Sequence, residues 1–227
     1  MCAVIGVILK QPTEAQLLIV KRVFLESKIR GLHATGISYL KNNEIITIRE
    51  SIPADQFVNR YFNNLSEFIN SDGNLYLIGH CRYSTSDLEF NQPLYNKEKS
   101  IVHNGVISQE FPEKWKSIYG YDCITKNDSE LILHSNNPLK EFKDMSMGVC
   151  ELNTNKTLKA YRSGKRPLYI TELSNGFIIT STKDIVKRSE INGIMTQVVN
   201  GAYVTLYSNL KRVDSIISLS NKDYQLC

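Results

Sequence analysis

Several features that would announce a function are missing from this sequence. No apolar run approaches the roughly 18 to 20 residues that span a bilayer, so no membrane segment is expected. No secretory leader precedes the first strand-like stretch. Phosphate cradles are absent too, since neither GxxxxGKS/T nor a GxGxxG following a strand occurs. Histidine is scarce, with 4 in 227 residues, and forms no HExxH or other close ligand set, which predicts neither metal nor cofactor. The 27 basic and 23 acidic residues are interspersed without a Lys/Arg block, so the formal charge of +4 implies no nucleic-acid partner. Cysteine is limited to Cys2, Cys81, Cys123, Cys150 and Cys227, an odd and widely spaced set without CxxC. That excludes a disulfide framework and predicts a soluble, reduced, cytosolic protein.

What remains is a length that fits one large domain, taken as residues 2–227. CAVIGVIL (Cys2 to Leu9) reads as a strand buried on both faces. Helical spacing follows Pro12-Thr13-Glu14, with Leu17, Val20 and Phe24 on one stripe and Gly31 at the exit. A hairpin turns at Asn42-Asn43, and a helix is expected from Pro53 to Asn70. Asn74 to Thr85 is a strand entering a polar loop, Ser100 to Ser108 a strand interrupted by Asn-Gly, and Asp128 to His134 a short helix. The second half holds two hairpins (151–163 and 167–181), a short helix near Asp184 to Ser189 and a last β segment, QVVNGAYVTLYS. Consecutive hairpins favour antiparallel sheets covered by helices, an α+β class.

The residue that draws attention is Cys2. Methionine removal is favoured before a small residue, and the exposed α-amine, with a reference pKa near 7.7 to 8.0, could then serve as the thiol's own base. By position alone a cysteine here is more often a small buried residue than a nucleophile. Acyl transfer also needs oxyanion donors, and His103-Asn104-Gly105 offers a side-chain amide and a backbone N–H that glycine leaves accessible. The competing reading of Asn-Gly is a hairpin turn. Arg82, followed by Tyr83, Ser84 and Thr85, suits an amino-acid carboxylate, and Asp128 suits an ammonium or, more simply, a helix cap. His80 and Cys81 are adjacent on a strand and point to opposite faces, which excludes a dyad.

Taken together these stretches resemble the glutaminase domain of class II, N-terminal-nucleophile (Ntn) glutamine amidotransferases. The matches run in order: Met1-Cys2, Arg30-Gly31 to Gly36, GHCRYST (Gly79 to Thr85), Gln92-Pro93, His103 to Gly105, Asp128 to Glu130, and Gly164 to Leu168, with Phe177 to Asp184 as a degraded later segment. GHCRYST and Gln92-Pro93 resemble the amidophosphoribosyltransferase branch. The resemblance implies a four-layer αββα sandwich and L-glutamine as substrate. It implies Cys2 as nucleophile, Asn104 and Gly105 as oxyanion donors, Arg82 at the α-carboxylate and Asp128 at the α-ammonium. Thr85, Arg30 and His103 would shape the substrate pocket. Two departures are His33, where the family commonly has an acidic residue, and Ser181-Thr182-Lys183 in place of a Ser-Glu pair. No synthase domain follows on this chain, so a separate acceptor enzyme is the expected partner. The alternatives are an amidase acting on a γ-glutamyl or other small amide, and an inactive binding module.

Overall fold

The computed structural model describes residues 1–84 and 88–217. Strand β1 (Ala3–Leu9) is buried along its whole length. Its odd residues Ala3, Ile5, Val7 and Leu9 enter one core, while Val4 and Ile8 enter another. This double burial is what a continuous apolar run without polar alternation demands. Helix α1 (Glu14–Ser27) opens with a capping box between Thr13 and Gln16 and buries Leu17, Val20, Val23 and Phe24. The exit at Gly31 is extended (φ −161°), not left-handed as the sequence suggested. Glycine is required there for a different reason: a Cβ would collide with the backbone of Cys81 and Arg82.

Strands β2 (Ala34–Lys41) and β3 (Glu44–Glu50) form the expected hairpin, with Asn42 and Asn43 at positive φ of 53° and 65°. The helix expected from Pro53 to Asn70 is shorter. Helix α2 (Ala54–Tyr61) stops before Asn63-Asn64, and a 3₁₀ turn (Leu65–Phe68) follows. Asn64 accepts from the Ser66 hydroxyl at 2.5 Å, a local bond that competes with helical pairing. Phe57, Phe62 and Phe68 still pack together, edge to face where Phe62 meets its neighbours. Strand β4 (Leu75–Arg82) returns through the sheet centre, followed by β5 (Leu94–Tyr95) and β6 (Lys99–Gly105).

Helices α3 (Pro112–Tyr119), α4 (Ser129–His134) and α5 (Pro138–Glu141) come next, of which only α4 was legible beforehand. The hairpins β7 (Met147–Asn153) with β8 (Thr157–Ser163), and β9 (Tyr169–Leu173) with β10 (Gly176–Thr180), form as read. Helix α6 (Lys183–Arg188) follows. The last β segment is shorter than read and is preceded by a separate strand: β11 (Ile194–Gln197), which shares only Gln197 with it, joins β9, whereas β12 (Ala202–Tyr207) pairs with β8 and β13 (Arg212–Ile216). The chain crosses between sheets around Gly201, whose φ of 75° suits a turn that residues with a side chain rarely adopt.

All these pairings are antiparallel. One sheet has the order β11-β9-β10-β1-β4-β2-β3 and the other β13-β12-β8-β7-β6-β5. Three cores separate four layers. One lies under α1, α2 and α6; a second, with Val4, Tyr76, Ile78, Val102 and Cys150, fills the gap between sheets; the third packs Trp115, Leu131 and Phe142 on the far sheet. The architecture is an α+β, αββα sandwich. No described helix is long and apolar enough to cross a membrane.

Candidate active site

Strand parity decides which side chains meet. In β4, Leu75, Leu77 and Cys81 point to the helix-covered core, so Tyr76, Ile78, His80 and Arg82 share the opposite, inter-sheet face. Registry sets Val4 of β1 beside His80, and Ala3 beside Cys81. Cys2, one residue before β1, therefore arrives at the sandwich rim with His80 and Arg82. From the facing sheet, Val102 points into the same gap, which assigns Asn104 to that face and turns His103 towards α4. The Asn-Gly pair is not a hairpin turn. Asn104 and Gly105 pair with Gly148 and Met147 of β7 inside a continuous ladder.

At this rim lies a cleft of about 350 Å³, at the lower end of the range that encloses small molecules. Its wall brings together Cys2, Arg82, His103, Gly105 and Asp128, drawn from four separate parts of the chain. Asn104 is 4 % exposed and sits behind that wall, and its Nδ2 is buried with no hydrogen-bond partner. Arg30 also stands behind the wall, donating from Nε to the Cys2 carbonyl at 3.0 Å. Burial lowers the pKa of its guanidinium, an effect that Cys2 opposes and Arg166 reinforces. Thr85 lies outside the described residues.

Around the nucleophile candidate, the Cys2 thiol faces the Tyr83 carbonyl at 3.8 Å. The strand that carries it is fixed by Ser181, whose hydroxyl accepts from the Val4 amide at 2.6 Å. The altered segment after β10 thus buttresses β1. His33, the other departure, accepts from the Ser84 amide at Nδ1 (2.8 Å) and packs its ring on Tyr83 with centroids 4.9 Å apart. The imidazole holds this turn by acceptance at Nδ1, as a carboxylate could.

Arg82 directs Nη1 to the Phe90 carbonyl (3.1 Å) and to Asn91 Oδ1 (2.7 Å). The same carbonyl accepts from Asn127 Nδ2 at 2.9 Å, tying the arginine to the residue beside Asp128. Asp128 stands at the N-cap position of α4, but its side chain makes no capping hydrogen bond. Its Oδ2 accepts from the amides of Ile107 (2.6 Å) and Ser108 (3.2 Å), which folds the segment after β6 over the cleft. Burial raises the carboxyl pKa; those two amides, that of Ser129 and the charge of Arg82 partly offset it.

Behind Gly105, Gln92 forms a clasp. Its Oε1 accepts from the His103 amide at 2.6 Å, and its Nε2 donates to Ser129 Oγ at 3.0 Å. Ser129 Oγ also meets His103 Nδ1 at 2.9 Å, leaving His103 Nε2 buried and without a partner. His80 directs its Nε2 proton to the His103 carbonyl at 3.1 Å. Burial, reinforced by nearby positive charge, lowers both imidazoles to about 3, so both are neutral at physiological pH. Cys81 is sealed in the helix-side core, and burial pushes its thiol far up, consistent with the exclusion of a His80–Cys81 dyad.

Sequence reasoning did not foresee that Ser108, Glu110, Trp115 and Lys126 would line the cleft. The Gln92-Pro93 match was noted without a role, although a buried glutamine amide beside a strand's polar interruption was its available signal.

The likeness to solved structures is decisive for the fold. The chain superposes on glutamine phosphoribosylpyrophosphate (PRPP) amidotransferase from B. subtilis with a TM-score of 0.74 at 17 % identity, covering 96 % of this chain and 50 % of that one. This is the Ntn-hydrolase fold. An allosteric regulatory enzyme of purine biosynthesis matches with a TM-score of 0.71 at 17 % identity and the same coverages, 96 % and 50 %. A glutamine aminotransferase class-II domain protein from Silicibacter pomeroyi matches with a TM-score of 0.60 at 11 % identity, over 96 % of this chain and 100 % of that one. The chain thus spans half the length of the first two. No family model and no curated protein sequence matches it. In this chain the rim cleft lies where the first strand begins, with Cys2 one residue before β1.

Proposed function

We propose that the chain hydrolyses the side-chain amide of L-glutamine through a Cys2 thioester and supplies the ammonia to a separate acceptor enzyme. The observation that carries the reading is the convergence of Cys2, Arg82, Gly105 and Asp128 on one cleft, with the unpartnered amide of Asn104 behind it. A buried, unsatisfied donor costs about 1–3 kcal/mol, a cost that an oxyanion would relieve.

Met1 is 65 % exposed and so accessible to an aminopeptidase. Its removal frees the Cys2 α-amine, which takes the thiol proton as sulfur attacks the amide carbon. A C–S bond forms and the carbonyl π pair moves to oxygen, where Asn104 Nδ2 and the Gly105 N–H receive it. The oxyanion collapses, the C–N bond breaks, and the ammonium proton passes to the leaving nitrogen, releasing ammonia. Water then attacks the thioester, giving glutamate and the free thiol. Arg82 holds the substrate carboxylate and Asp128 its ammonium, while Arg30 and His103 position the Cys2 and Gly105 backbones. Because ammonia protonates readily in water, transfer to an acceptor calls for a protected route at a protein interface.

Glutamate release from L-glutamine by the processed chain tests the reading. It should be abolished in Cys2→Ala with the melting temperature kept, and turnover retained in that variant would refute it.

A further inference from the structure

Away from the cleft, the segment before α4 meets that helix at a cluster no spacing motif announces. Cys123, Glu130 and His134 each offer one donor atom, and the three atoms lie within 4.8 Å of one another. We propose that this cluster binds a zinc-class divalent cation, which staples residues 121–125 to α4.

Glu130 and His134 are one helical turn apart, so they share a face, and His134 Nε2 approaches Glu130 Oε1 at 3.5 Å. Both partners are oriented by their surroundings. The Glu130 carboxylate accepts from the Ile124 amide (2.8 Å), the Thr125 amide (2.6 Å) and the Thr125 hydroxyl (2.6 Å). Tyr121 stacks nearly parallel on the His134 ring, 20° between planes at 5.6 Å. Such supporting contacts are what fix ligands around a metal. An ion at the centre of a triangle of side 4.8 Å is at most about 2.8 Å from each donor, so side-chain movements under about 1 Å reach the ~2.0–2.3 Å of zinc coordination.

The donor chemistry selects the ion. Thiolate, imidazole and carboxylate together suit zinc and its neighbours and exclude magnesium or calcium, which take all-oxygen shells. Three protein ligands leave a fourth position for water. A thiolate, not a thiol, ligates the ion, so binding must release the Cys123 proton to solvent as the S–metal bond forms. Glu130 is 5 % exposed and His134 lies at the surface, which gives an anchored site with an entry path. The stapled segment leads directly into Lys126, Asn127 and Asp128 of the cleft wall.

Cobalt(II) binding tests the proposal, carried out on Cys2→Ala protein because a processed Cys2 could itself chelate metal through its amine and thiol. One equivalent should bind at micromolar concentration with thiolate-to-cobalt charge-transfer absorption that zinc abolishes. The absorption should vanish in Cys123→Ser, and affinity should fall tenfold or more in His134→Gln, with far-ultraviolet circular dichroism unchanged. No stoichiometric binding, absorption unchanged in Cys123→Ser, or affinity unchanged in His134→Gln overturns the site. Should the variants fail to fold, alkylation of the Cys2→Ala chain decides: zinc should protect Cys123 from iodoacetamide, and equal labelling with and without zinc refutes the proposal.

Discussion

At the scale of single residues, the account assigns different kinetic signatures to neighbours in the same cleft. On the proposed mechanism Asn104 would meet substrate only when charge develops on the amide oxygen, so Asn104→Ala should lower kcat by about 10² to 10³ with little change in KM. On the same mechanism Asp128 would act on the ground state as well. Asp128→Asn should raise KM for glutamine about 10- to 100-fold and leave a substrate without the α-amine nearly unaffected; equal effects on both would reduce Asp128 to its role as acceptor for the Ile107 and Ser108 amides. Its raised pKa adds a pH signature. Only the carboxylate attracts an ammonium, so kcat/KM should rise with pH through an inflection above the ordinary aspartate range, and that limb should disappear in Asp128→Asn. The sequence suggested both an ammonium anchor and a helix cap for this residue. Asp128 does hold the N-cap position, and only coordinates could show that its carboxylate turns to the Ile107 and Ser108 amides rather than capping the helix.

At the scale of elements, the glycines of the matched stretches act as spacers that set the cleft. A Cβ on Gly31 would strike the backbone of Cys81 and Arg82, one on Gly36 the Gln92 carbonyl, and one on Gly105 the Ser146 carbonyl. Gly31→Ala should therefore cost about 1–3 kcal/mol and raise KM by displacing Arg82. Gly148→Ala, whose new methyl would find ordinary contacts from 3.5 Å outward, should change the melting temperature little. Thermal unfolding with glutaminase kinetics compares the two. Elements marked by strong local signals were legible in advance: the doubly buried β1, the capped α1, the hairpin at Asn42-Asn43, and the β9–β10 hairpin, whose turn falls at Ser174-Asn175, one residue before the Asn175-Gly176 pair that signalled it. The misreadings arose where tertiary pairing overrode local pattern. QVVNGAYVTLYS looks like one β segment, yet only Ala202–Tyr207 of it forms β12, while its first residue, Gln197, ends β11 in the other sheet. Helix α3 escaped notice because Trp115 is its only buried side chain, which leaves no apolar periodicity to detect.

At the scale of the whole molecule, the sandwich holds neutral histidines in its interior, and this ties stability to pH. His80 and His103 have folded pKa values near 3, against an unfolded value of about 6.5. Between those values the unfolded chain binds more protons, so the stabilisation is complete above about pH 6.5 and is lost as pH falls towards 3. At pH 5 each histidine should cost about 2 kcal/mol relative to neutral pH, read as a lower urea midpoint. His80→Gln should shrink that pH dependence even if it lowers stability at pH 7. Hairpin order made the antiparallel, helix-covered α+β class readable, whereas the four-layer arrangement was implied only by the family resemblance. The cleft was only partly so, because its wall joins residues more than a hundred positions apart in sequence.

The claim on which the rest depends is that a processed Cys2 sits in a glutamine-shaped site. Intact mass spectrometry before and after treatment with the diazoketone analogue of glutamine, followed by peptide mapping, tests it most directly. The account predicts loss of Met1 and a single adduct on Cys2, suppressed by excess L-glutamine. A processed chain that takes no label, or takes it elsewhere with Cys2 untouched, would contradict it.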